Sequence, residues 1–174
     1  MLNIHPVIVH TPIGLLTLYS IIELLRFKKL QERPYIFYTK AILVIVGFGG
    51  AVAAYLSGDM IEDLFTSAND LALIEVHSTF ALITSLLYGV IAASYLVLWF
   101  QKECGTWAFL KNKNIAGIWK MKLAIANFIQ KPWIIGSLAL LALVAIFITG
   151  ALGGAIVYGP EADPAVSFIY HLFF

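Results

Sequence analysis

The chain has 174 residues, 61% of them apolar and only 12% charged, with a formal net charge of +1. Soluble domains run nearer half apolar and a quarter charged. The composition therefore excludes an ordinary soluble domain and points to an all-α, integral membrane four-helix bundle in a single domain. A hydrocarbon core of about 30 Å takes roughly 20 residues of helix to cross, and open strands would leave backbone groups unpaired in lipid.

The first apolar run covers about residues 7–25 and is closed by Arg26, Lys28 and Lys29, with Arg33-Pro34 breaking the helix. No basic residue precedes it, so the N-terminus does not read as a cleavable signal peptide. The second run covers about residues 38–56. Its Gly47, Gly50, Ala51, Ala54 and Gly58 recur at three- and four-residue spacing, which lets helices approach closely in lipid. A short acidic connection, Asp59 to Asp70, leads to a third run over about residues 71–100, and the fourth covers about residues 133–158.

Between the third and fourth runs, residues 106–131 mix Trp107, Phe109, Ile118, Trp119 and Phe128 with five lysines. That is an amphipathic pattern suited to the membrane interface, where it would anchor the fourth span or dock a partner. The short C-terminal tail, Ala165 to Phe174, is apolar enough to fold back onto the bundle or to rest at the interface. The lysines here would meet anionic lipid; no nucleic-acid partner is expected. The single cysteine, Cys104, allows no intrachain disulfide and no Cys-x-x-Cys-His haem attachment.

Four spans return both termini to one side. All eleven Lys and Arg residues fall on the other, between Arg26 and Lys40 and between Lys102 and Lys131. Basic loops stay cytoplasmic. The expectation is a bacterial inner-membrane protein with both termini periplasmic and the amphipathic segment cytoplasmic. All four histidines, His5, His10, His77 and His171, then share the outer side with Asp59, Glu62, Asp63, Asp70, Glu75, Glu161 and Asp163.

Imidazole ligates metals and titrates near neutrality, and ionisable groups inside a membrane domain are costly enough to raise a functional expectation. Small residues sit one turn below two of the histidines, Gly14 below His10 and Ala81 below His77, leaving room for a flat group. Thr84, Ser85 and Tyr88 continue the stripe under His77. One reading is a b-type haem between His10 and His77, with His5 and His171 as further candidates. Another is a copper, zinc or iron ion held by His10 and His77 with Glu75 or His5. A third is proton movement through Glu75 and His77, ranked lower because no ionisable residue continues across that span. The fourth is that these are interfacial histidines bonded to carbonyls or water. His5 and His10 are about 140° apart on a regular helix, so they do not form a pair; Glu75 and His77 diverge likewise.

The motifs His5-Pro6…His10-x-Pro12, Glu75-x-His77 and Gly150-x-x-Gly153-Gly154-x-x-Val157-Tyr158 resemble a family of bacterial four-span predicted membrane domains of unknown function. Relatives carry a histidine shortly after the Val-Tyr pair; here that place reads Gly159-Pro160-Glu161. Some relatives are joined to or encoded beside c-type cytochrome domains, which implies membrane electron transfer. The leading expectation is thus a non-enzymatic haem b subunit, passing electrons between a membrane partner and an outer-side, cytochrome c-like redox protein. The alternatives are a cofactor-free structural or assembly subunit of a larger respiratory or photosynthetic complex, and a transition-metal-binding membrane protein.

Overall fold

The computed structural model describes residues 5–26, 28–59, 68–105 and 113–174. These are helix and turn throughout, with no strand among the described residues. Four helices are long and apolar enough to cross a membrane: α1 (His5–Leu25), α3 (Pro34–Asp59), α4 (Ala68–Cys104) and α6 (Pro132–Tyr158). A four-residue turn of helix, α2 (Lys28–Gln31), joins the first two spans. The amphipathic α5 (Lys113–Ile129) precedes α6, and a short α7 (Pro164–Tyr170) follows it. The chain is an integral membrane helix bundle.

The four long helices coincide with the four apolar runs and extend past them at six ends. Pro34 was expected only to break the first helix; it also opens α3, where its fixed φ and missing N–H cost nothing. α4 is far longer than a bilayer needs. Its 37 residues reach about 55 Å at 1.5 Å per residue, against a hydrocarbon core of about 30 Å. α5 packs along the projecting basic end of α4. Trp119 donates its indole N–H to Gln101 Oε1 at 2.7 Å and meets Phe100 edge-on at 5.1 Å. Gln130, just beyond α5, donates to Ser94 Oγ at 2.9 Å.

α1 packs on α3 and α6, and α4 packs on the same two helices, so α1 and α4 face each other across the core. Small residues allow the close approaches, as their spacing predicts. A Cβ on Gly47 would stand 2.6 Å from Leu16 Cδ2, and one on Gly50 would stand 3.2 Å from Pro12. Pro12 lies buried inside α1, and the helix continues through it. The tail folds back: Val166 and Ile169 of α7 are buried against Leu73, Leu152 and Ala155, and Phe173 meets Phe80 edge-on. Asp163 caps α7 by accepting from the backbone N–H groups of Ala165 and Val166.

Filling the tight approach at Gly47 is expected to overpack the α1–α3 contact. Gly47→Ala should cost about 1–3 kcal/mol in detergent unfolding. Gly49→Ala, whose Cβ meets nothing within 4 Å, should instead gain up to about 1 kcal/mol from helix propensity. Equal effects at the two positions would contradict the packing described.

Candidate functional site

The residues that face inward on α1 are Pro12, Leu16, Tyr19, Ser20 and Glu23. Three of the five are polar. On α4 the inward stripe runs His77, Thr84, Tyr88 and Tyr95, at spacings of seven, four and seven that keep one face. The two stripes meet across the core and form a polar seam running from the histidine end to the basic end.

At the basic end the seam carries charge. Glu23 is 2% exposed and Lys40, on α3, is 8% exposed. Lys40 Nζ donates to Glu23 Oε2 at 2.8 Å and to Gln31 Oε1 at 2.9 Å. Arg26 donates through Nη2 to the other Glu23 oxygen and through Nε to the Glu23 carbonyl. Arg26 adopts φ +39°, the left-handed conformation that ends α1. Its side chain therefore ties the turn to the carboxylate it has just left. Gln31 also reaches back to the Ile22 carbonyl.

Tyrosines fill the middle. Tyr19, Tyr88 and Tyr95 are almost wholly buried. Tyr19 meets Tyr88 edge-on at 6.4 Å and Tyr95 edge-on at 6.0 Å between ring centroids. Ser20 and Tyr88 share a hydroxyl–hydroxyl bond of 2.7 Å, and Tyr88 also donates to the Leu16 carbonyl at 3.3 Å. Tyr95 stands among Tyr19, Gln130 and Glu23. The Tyr19 hydroxyl is buried with Tyr95 as its polar neighbour, outside good hydrogen-bond geometry.

The histidine end is uncharged at its core. Thr149 of α6 donates to the Ala145 carbonyl at 2.8 Å, so the 3.2 Å contact with Thr84 has Thr84 donating. The Thr149 carbonyl accepts from His77 Nδ1 at 3.0 Å, which puts the proton on that nitrogen. Gly153 lies under the ring, where a Cβ would stand 3.2 Å from His77 Cε1. Gly154, next along, receives Val166 of α7. The glycine-rich close of α6 thus seats both His77 and the returning tail.

The other predicted residues do not gather at this point. His10 is exposed and lies about 140° round α1 from the middle of its buried face, at 3.6 residues per turn. Gly14 shares that outward side and has open space beside it. Ala81 is partly buried on the His77 face. Glu75 is exposed on the opposite side of α4, as its spacing from His77 predicts. The His5 side chain and most of the acidic connection lie outside the described residues. His171 caps α7 and pairs with Glu161 at 3.0 Å. The bond from His171, with a second from Ser167, holds the Glu161 carboxyl below the usual carboxylate range. Among the described residues no three His, Cys, Asp or Glu side chains are grouped to hold a metal ion.

Sequence reasoning missed Glu23, Lys40, Tyr19 and Tyr95; Tyr88 lies on the stripe it placed below His77. The span that carries Glu75 and His77 holds no further carboxylate, imidazole or ammonium group before Lys102. Glu23 of α1 and Lys40 of α3 add a buried ionic pair at the basic end of the bundle. No family model, curated protein or solved structure matches the chain.

Removing one partner of the buried pair should be costly. Lys40→Met leaves Glu23 with Arg26 alone and is expected to lose about 3 kcal/mol, the low end for a broken buried ion pair. Glu23→Gln combined with Lys40→Met should recover most of that loss. Detergent unfolding of both variants measures it; a double variant as unstable as the single one would contradict the pairing.

Proposed function

We propose that this protein is a membrane subunit that carries protons through its own core, between Glu23 at the basic end and His77 at the histidine end. The single observation that carries this reading is the polar seam. From Tyr95, beside Glu23, to His77 it covers about 27 Å of α4, nearly the whole hydrocarbon thickness of about 30 Å. Its ends are a carboxylate and an imidazole, side chains that exchange protons readily. Between them stand the hydroxyls of Tyr95, Tyr19, Ser20, Tyr88, Thr84 and Thr149, each able to accept one proton while passing on another. Ionisable groups at this depth are costly and mark conduction paths in membrane proteins more often than they serve as ballast.

With basic loops on the cytoplasmic side, Glu23 and Lys40 face the cytoplasm and His77 the periplasm of a bacterial inner membrane. Membership of the four-span family that the motifs resemble belongs to the same proposal and rests on those motifs.

Reconstitution into liposomes with an imposed potassium diffusion potential and an entrapped pH dye tests the reading. The unaltered protein should carry protons faster than empty liposomes. Tyr95→Phe, which keeps the ring, and Glu23→Gln should both fall to the empty-liposome rate. No flux from the unaltered protein, or full flux from both variants, would sink it.

A second reading keeps a b-type haem with His77 as an axial ligand. One observation favours it: a backbone carbonyl holds His77 by Nδ1, the arrangement that orients ligating imidazoles. His10 does not complete the site in this arrangement, because α1 turns it away from the core. Purified protein tests this directly. A Soret band lost in His77→Ala supports the haem; protein made under haem-replete conditions that lacks any such band contradicts it.

A further inference from the structure

The basic end of the bundle holds a groove that the polar seam does not use. Its walls are Leu96, Val97, Trp99 and Phe100 of α4 and Trp119 of α5, with Lys122 at the rim, and its volume is about 520 Å³. It is an open, shallow groove on the outer surface of the bundle and not an enclosed cavity. The Trp119 contacts to Phe100 and Gln101 fix the angle between the two helices, so the groove is built by the packing of α5.

Its level in the membrane can be read from its neighbours. Trp99 meets Tyr38 edge-on at 5.8 Å. Exposed Tyr35 and Trp133 open α3 and α6 at the same end. Aromatic side chains of this kind collect where lipid headgroups begin. The groove therefore starts among the acyl chains, at Leu96, and ends at the headgroup layer, at Lys122. The surface around it is apolar: Leu96, Ile118, Met121 and Ile125 are all about half exposed.

Charge decides among amphipathic occupants. All eleven basic residues fall in the stretches 26–40 and 102–131 of the sequence, and the described helix ends of those stretches gather here. The acidic residue on the groove, Glu103, accepts the Tyr38 hydroxyl at 2.6 Å. Lys122 is exposed at the mouth. We propose that the groove holds one anionic phospholipid, with an acyl chain along Leu96, Val97 and Phe100 and its phosphate beside Lys122.

Native mass spectrometry of the detergent-purified full chain, titrated with phosphatidylglycerol and separately with phosphatidylcholine, tests the assignment. One phosphatidylglycerol should be retained in preference to phosphatidylcholine. Lys122→Gln should weaken it about fivefold, the effect of one lysine near an anionic headgroup. Leu96→Trp, which fills the groove, should displace both lipids. Lys120 lies on a different face of α5, so Lys120→Gln should change nothing. Equal retention of the two lipids by the unaltered protein overturns the proposal without recourse to any variant. Equal weakening by Lys120→Gln and Lys122→Gln overturns it in favour of general surface attraction.

Discussion

The rotation of α1 about its own axis is set by the need to keep Glu23 out of lipid. A carboxylate in the last turns of a membrane helix must be paired within the bundle or reach water. Glu23 is paired, with Lys40 from the neighbouring helix and Arg26 from its own end. That choice turns Tyr19 and Ser20 inward, because they share the face of Glu23. It also turns His10 outward. The ion pair at one end of α1 thus decides what its other end presents, and it explains why the two histidines at the mouths of α1 and α4 do not converge.

Apolar run length made the spans legible in the sequence, because crossing lipid by helix demands about 20 such residues whatever the fold. The spacing of Gly47 and Gly50 likewise foretold the close α1–α3 contact. The site was much less legible. Glu23 stands three residues before Arg26 and reads as part of a charged helix end. Lys40 reads as the last member of a basic loop. Their pairing depends on the turn through Arg26, whose left-handed conformation no residue type announces, and on a separation of 17 positions. A helical projection of α1 does align Leu16, Tyr19, Ser20 and Glu23, and that alignment was the available signal. Thr84 and Tyr88 were legible because they continue the stripe below His77. The partner of His77 was not, since it is a backbone carbonyl on α6, and main-chain acceptors leave no mark on a motif.

The two glycines that close α6 show how the histidine end is assembled. Gly153 lets the His77 ring lie against the helix, and Gly154 lets Val166 do the same one residue on. α7 therefore covers the neighbourhood of His77 using the same backbone that seats it. The clasp holding α7 is polar and exposed: Asp163 caps the helix, and Glu161 takes Ser167 and His171. Because the Glu161 carboxyl is held below its ordinary range, its contribution to that clasp is whole at neutral pH. It fades only as the pH falls through the lowered value.

The seam is asymmetric in a way that bears on charge movement. Among the described residues its basic end holds the buried ionic groups, Glu23 and Lys40, while the histidine end relies on threonine hydroxyls and a carbonyl. A charge moved across the full potential changes energy by about 2.3 kcal/mol per 100 mV. On the reading proposed above, most of that drop would fall between Glu23 and His77. The Tyr19 hydroxyl stands between Glu23 and His77, buried beside Tyr95 but outside good hydrogen-bond geometry. Leaving such a group unbonded costs about 1–3 kcal/mol. On the same reading, the hydroxyl has a place in the seam that a Phe could not fill.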